Sequence, residues 1–143
     1  DLWDFGLITS RMHMAWLRYI GGRLKSDYRY SIGMVYNPFP WPTSADEKSR
    51  AKIRELAQSV LDARKNYPDA TLADLYDPDT MPPDLRKAHR ALDLAVDRLY
   101  RNEPFASDRE RVEHLFKLYE NLTAPMLAAA STNPKRKRTR AEN

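Results

Sequence analysis

The stretch KSDYRYSIGMVYNPFPWP, residues 25–42, decides how the chain is read. Charged residues stand at 25, 27 and 29 among tyrosines, and prolines follow at 38, 40 and 42. With the two residues before it, the run RLKSDYRYSIGMVY is rich in β-branched and aromatic side chains, which suit a pleated, half-buried surface. It predicts one or two short strands, with Gly33 at a bulge or bend. The prolines have no N–H to give a ladder and close the segment. On an extended backbone side chains alternate between faces, so Lys25, Asp27 and Arg29 fall on one face and Ser26, Tyr28 and Tyr30 on the other.

Upstream, Phe5, Ile8, Met12, Trp16 and Tyr19 recur at three- and four-residue steps, and Leu7, Met14 and Leu17 widen the stripe. That pattern predicts one well-buried helix, ended by Gly21-Gly22 because glycine tolerates the left-handed conformation that closes helices. From residue 43 the chain reads as helical. Ser44 with Glu47 forms a capping-box pattern ahead of a helix whose inner face holds Ile53, Leu56, Ala57, Val60, Leu61 and Arg64, with Pro68 beyond its end. Thr71 to Asp74 caps a short turn, and Pro82-Pro83 suits the first turn of a helix bearing Leu85, Ala88, Leu92, Val96 and Leu99. Ser107 with Glu110 caps a last helix carrying Val112, Leu115, Phe116, Tyr119 and Leu122. The expected fold class is mainly α, a small helical bundle preceded by a buried helix and one or two short β-strands.

The 143 residues suffice for one domain with a real core, and an opening Asp in place of Met suggests a fragment of a larger protein. The chain has no cysteine, so it offers neither a disulfide framework nor a thiolate metal site, and a reducing cytoplasm is the expected compartment. No apolar run approaches the roughly 18 residues of a membrane span, so no membrane partner is expected. The net charge of +4 is unevenly spread: +2 over residues 1–42, −2 over 43–133 and +4 over 134–143. The last stretch, PKRKRTRAEN, has almost nothing apolar to bury and reads as a flexible basic tail. In the first, nine of the aromatic residues lie among the basic ones, a pattern that points to nucleic acid. Composition alone favours the plainer reading, a core strand with solvated charges on its outer face.

Catalytic chemistry finds no support. NPFP at residues 37–40 approaches the Asn-Pro-Pro-aromatic motif of amino-directed DNA methyltransferases, but proline and aromatic are exchanged and no glycine-rich cofactor turn precedes it. Pro-Asp pairs at 68–69, 78–79 and 83–84 lack the Glu-x-Lys of metal-dependent nucleases and read as turn and helix-start residues. His13, His89 and His114 fall on three separate helices without a paired ligand, and no nucleophile turn surrounds a serine. No catalytic, cofactor or metal residue is expected in this chain.

Four blocks carry a resemblance: LITSRMHMAWLRYIGGRLKSDYRYS, VYNPFPWP, LYDPDTMPPDLRKAHRALD and FASDRERVEHLF. Over residues 5–123 the chain resembles the C-terminal end of MmeI-like type IIL enzymes, bacterial proteins that join a DNA methyltransferase to a restriction nuclease. Asn37-Pro38 departs from the Asn-Asn that the family usually has before Phe-Pro-Trp-Pro. The resemblance implies that residues 1–42 end a target-recognition domain, that 43–125 form a C-terminal helical domain, and that 126–143 are the tail. It implies a parent adenine methyltransferase using S-adenosylmethionine, with magnesium for its nuclease, both handled outside this chain. The implied partners are double-stranded DNA and the remaining domains of the same polypeptide, in the bacterial cytoplasm. As an excised piece the chain is also expected to self-associate through surfaces those domains would cover.

The positions of Lys25, Asp27 and Arg29 match those at which the family reads sequence. Lysine donates to guanine O6 and N7 and aspartate accepts from the cytosine amino group, so the pair suits one G·C base pair. The same two residues can equally form a surface ion pair worth at most about 1 kcal/mol. Arg18 and Arg23 suit phosphate contact, or are solvated charges near a helix end. Phe39 and Trp41 are expected to anchor the junction between the two segments. The competing reading is a helical protein-interaction module with an incidental basic tail; its contacts would be nearly indifferent to salt, where phosphate contacts are not.

Overall fold

The computed structural model describes residues 1–26, 39–42 and 44–131. They form six helices: α1 (Leu2–Ile8), α2 (Arg11–Ser26), α3 (Glu47–Lys65), α4 (Leu72–Leu75), α5 (Pro83–Tyr100) and α6 (Asp108–Ser131). No strand occurs among the described residues, which overturns the expectation of one or two β-strands. Residues 23–26, read as the start of a strand, are the last turn of α2. The reason lies at Gly21-Gly22, which the helix passes through: no described glycine takes a positive φ, and the space beside Gly21 is open. Glycine permits a left-handed stop but does not impose one, and Leu24 and Lys25 beyond it are good helix formers. Residues 27–38, the rest of that reading, lie outside the described residues.

The single N-terminal helix of the sequence reading is in fact two. Thr9 Oγ1 donates to the Phe5 carbonyl and Ser10 Oγ to the Leu7 carbonyl, both at 2.7 Å, closing α1. The Ser10 hydroxyl also accepts from the backbone N–H of His13, which opens α2. Hydroxyl side chains thus offer the backbone an alternative to helix continuation. A second correction concerns α3, whose cap is not the Ser44–Glu47 box: the Asp46 carboxylate accepts from the Ser49 N–H at 2.8 Å, a bond that lowers its pKa. The Thr71–Asp74 box is present with both reciprocal bonds, and Pro83 begins α5. Ser107 accepts from the Glu110 N–H, while the Glu110 carboxylate turns to the Ala106 N–H. The last helix continues to Ser131, into the stretch read as tail.

α3 and α5 pack on each other, α1 packs mainly on α3, and α2 packs on α6 while touching α5. One apolar core results. Leu7, Met12, Trp16 and Phe39 from the N-terminal segment join Ile53, Val60, Leu85, Leu92 and Leu115 from the later helices. The close seat of α1 depends on Gly6, where an added Cβ would stand 2.8 Å from Ile53 Cγ2 and 3.5 Å from both Ala57 Cβ and Leu92 Cδ1. A β-branched isoleucine in a helix has little rotamer freedom with which to yield. Gly6→Val is therefore expected to lower stability by about 2–3 kcal/mol through overpacking. Urea unfolding checks this as a fall in midpoint at unchanged slope.

Candidate nucleic-acid interface

The exposed side of α2 follows from its buried side. Met12, His13, Ala15 and Trp16 face the core, leaving Arg11, Met14 and Arg18 outward. Helical register carries positions 11, 18 and 25, seven residues apart, along the same side of α2. The sequence reading placed Lys25 on an extended face with Asp27 and Arg29. The backbone places it in the final turn of a helix, so the two-residue alternation does not hold there. The side chains of Arg23 and Lys25, and residues 27 and 29 altogether, lie outside what the structure describes.

What holds α2 in place is a polar network that the sequence reading missed. At its centre Arg111 of α6 meets Asp97 of α5 through two bonds, Nη2 to Oδ2 at 2.7 Å and Nε to Oδ1 at 3.1 Å. Both side chains are almost wholly buried, at 6% and 7% exposure. Burial opposes the guanidinium charge, but the bonds and charge of Asp97 outweigh it, so the Arg111 pKa rises. Around this pair, Asp108 accepts from Arg111 at 3.2 Å and Arg11 at 2.7 Å, with Arg18 at 3.5 Å. Asp93 of α5 accepts the backbone N–H of Arg11 at 2.9 Å, a cap on α2 supplied from another helix. Two helices of the C-terminal half therefore grip the first turn of α2. The available signal was the aspartates at 93 and 97, four residues apart and bordering the apolar positions 92 and 96.

Burial pushes the Asp93 carboxyl up to about 6, against the Arg11 N–H, which favours its charge. A carboxyl with a raised pKa binds more protons folded than unfolded, so it lowers stability as pH climbs from about 4 to 6. Asp93→Asn keeps an acceptor for the Arg11 N–H and removes the titration. Relative to the parent chain it is expected to gain about 2–3 kcal/mol between pH 4 and 7, measured by urea unfolding at each pH. Asp97→Ala is expected to cost about 3–5 kcal/mol by leaving Arg111 buried and unpaired, and Asp97→Leu with Arg111→Met to recover most of that. A double-mutant cycle on unfolding free energies measures both.

The second anchor is the Phe-Pro-Trp segment. Phe39 is buried, with its ring 4.7 Å from that of His13 and 4.8 Å from that of Trp41, both edge-on. The Tyr100 hydroxyl donates to the Pro40 carbonyl at 2.9 Å and ties the segment to the end of α5. Trp41 remains 39% exposed, stacked beside His13 at 5.8 Å. His13 is itself a core residue, with Nδ1 3.1 Å from the Ile8 carbonyl oxygen, and burial lowers its pKa. Among the described residues no three His, Asp or Glu side chains converge as a metal site, and no helix is long and apolar enough to cross a membrane.

Comparison with known proteins gives the following. Residues 45–127 match the family described as "MmeI, C-terminal domain", and residues 1–43 match "MmeI, target recognition domain". DNA methyltransferase A of Bacillus subtilis (strain 168) is 46% identical over 123 residues, 86% of this chain and 14% of that protein. A solved structure of the type IIL restriction-modification enzyme MmeI in complex with DNA superposes with a TM-score of 0.77 at 47% identity, over 87% of this chain and 16% of that one. The chain thus spans about one seventh of the length of the curated relative it matches.

Proposed function

We propose, from the premise that the chain belongs to the MmeI family, that it is the DNA-reading end and helical brace of a bacterial restriction-modification methyltransferase. The observation that carries this is the attachment of the segment matching the target recognition domain to the helices matching the C-terminal domain. Asp93 and Asp108 grip the start of α2, Arg111 joins Asp108 to Asp97 behind them, and Phe39 packs against His13 and Trp16 of the same helix. In this reading α2 runs beside the duplex with Arg18 and Arg23 on phosphates, and Lys25, Asp27 and Arg29 contact base edges where α2 ends. Phosphate contacts set register, and the base contacts select sequence. The base-reading residues are kept on their chemistry, since lysine suits guanine and aspartate suits cytosine. The support from an extended strand is given up at Lys25.

The boundaries proposed for these parts are 1–42 for the recognition segment, 43–125 for the brace and 126–143 for the tail. The parent enzyme methylates adenine with S-adenosylmethionine, and its nuclease uses magnesium. In this reading both groups are handled by parts of that protein outside this chain. Its partners are double-stranded DNA and the rest of its own polypeptide, in the bacterial cytoplasm. Leu72 and Leu94, 62% and 55% exposed, suit contact with further protein or, in the isolated chain, with a second copy.

The test is to map methylated DNA motifs in cells carrying the full-length enzyme with Lys25→Glu and Asp27→Arg together. The expected motif keeps its methylated base and changes preference at one G·C position. An unchanged motif at full methylation would refute base reading by these residues.

A further inference from the structure

A cleft of about 780 Å³ opens where α2, α3, α5 and the turn after α4 meet, with Arg11, Arg18, Arg64, Tyr76, His89 and Asp93 on its walls. Its charges do not balance evenly. Asp108 is held by Arg11, Arg18 and Arg111, Asp93 by the Arg11 N–H, and Asp97 by Arg111. Arg64 has no carboxylate within ion-pair distance among the described residues, although it is half-buried. Its guanidinium is fixed from behind. Nε donates to the Tyr76 hydroxyl at 2.8 Å, and the Tyr76 oxygen lies 2.6 Å from His89 Nε2. The rings of Phe5 and Tyr76 sit 5.4 and 5.1 Å from the guanidinium carbon. Burial and the nearby Arg64 charge both lower the pKa of His89, which favours the neutral imidazole beside the tyrosine oxygen. This leaves the two Nη groups, four N–H donors on a held planar cation, without a described protein acceptor.

A half-buried guanidinium that is positioned by a relay and lacks a counter-charge is built to receive an anion, and its fork geometry matches a phosphate. We infer that this cleft binds a phosphate group, with Arg64 contacting it directly and the largely exposed Arg18 adding charge. The inference adds Arg64 of the helical brace to the proposed function, with which it shares Arg18 as a phosphate contact, and it does not involve the base-reading residues. A DNA backbone phosphate and a free phosphate are two sources of the same chemistry.

The experiment follows the Arg64 Nε–Hε NMR signal of the 143-residue chain during titration with inorganic phosphate and, separately, with a short duplex DNA. Saturable movement of that signal is expected, with the phosphate affinity falling about tenfold or more in Arg64→Gln and about threefold in Arg18→Gln. Arg18→Gln alters an exposed side chain and so separates lost binding from lost fold. Movement with duplex, competed away by inorganic phosphate, assigns the site to the DNA backbone. Movement with inorganic phosphate alone assigns it to a free phosphate and leaves the base-reading proposal where it stood. If neither ligand moves the Arg64 signal in the folded chain, or if Arg18→Gln and Arg64→Gln bind as the parent does, the inference is overturned.

Discussion

The buried pair of Asp97 and Arg111 links the two packed helix pairs, α3 with α5 and α2 with α6, across the middle of the structure. Two charges taken out of water tolerate only geometries in which they meet, so the pair ties α6 to α5, helices whose backbones make little other direct contact. Such a pair is a weak source of net stability compared with apolar residues of the same size. What the pair supplies is a directional contact between α5 and α6, where the apolar contacts of residues such as Leu85, Leu92 and Val96 are non-directional. Once α5 and α6 are joined, Asp93 and Asp108 stand in place to hold Arg11, and α2 inherits its position from them.

That inheritance gives the helical half a physical role. The segments that match two different domains of one family share a single core, in which Trp16 and Phe39 pack with Leu92 and Leu115. A recognition element must keep its donors and acceptors within a few tenths of an ångström of their targets, and a helix held only by its own backbone bonds does not. The polar grip at the first turn of α2 and the Phe39 latch both constrain it. The Tyr100 bond to the Pro40 carbonyl ties the latch to the same helix, α5, that carries Asp93 and Asp97.

The cleft beside this grip shows how one network organises both structure and surface. Asp108 and Asp93 are consumed in positioning α2, so they do not neutralise Arg64 on the opposite wall. Tyr76 and His89 orient Arg64 without cancelling its charge, since both are neutral partners. A structural carboxylate and a ligand-ready cation can therefore share one cleft.

Periodicity made the helical half legible in the sequence: the apolar steps from Ile53 to Val60 and from Leu85 to Val96 each define one buried face, and Thr71–Asp74 and Pro83 mark starts through purely local bonding. The blocks around residues 5–123 also revealed the family. The candidate site was legible only in its residue types. Gly21-Gly22 and the β-rich composition after it suggested a stop and a strand, yet local preferences of this kind are weak, and the helix runs through to Ser26. The break at Thr9-Ser10 was missed because an unbroken apolar stripe can span two helices, and the hydroxyl caps that divide them compete with helix bonds by only small margins. Local patterns along the chain determined which segments are helical and which faces are apolar. The pairing of Asp97 with Arg111, the capping of Arg11 by Asp93 and the isolation of Arg64 were decided only by tertiary structure. Each joins residues far apart in the chain, and a charge's partner is set by three-dimensional proximity and burial, which no local spacing encodes.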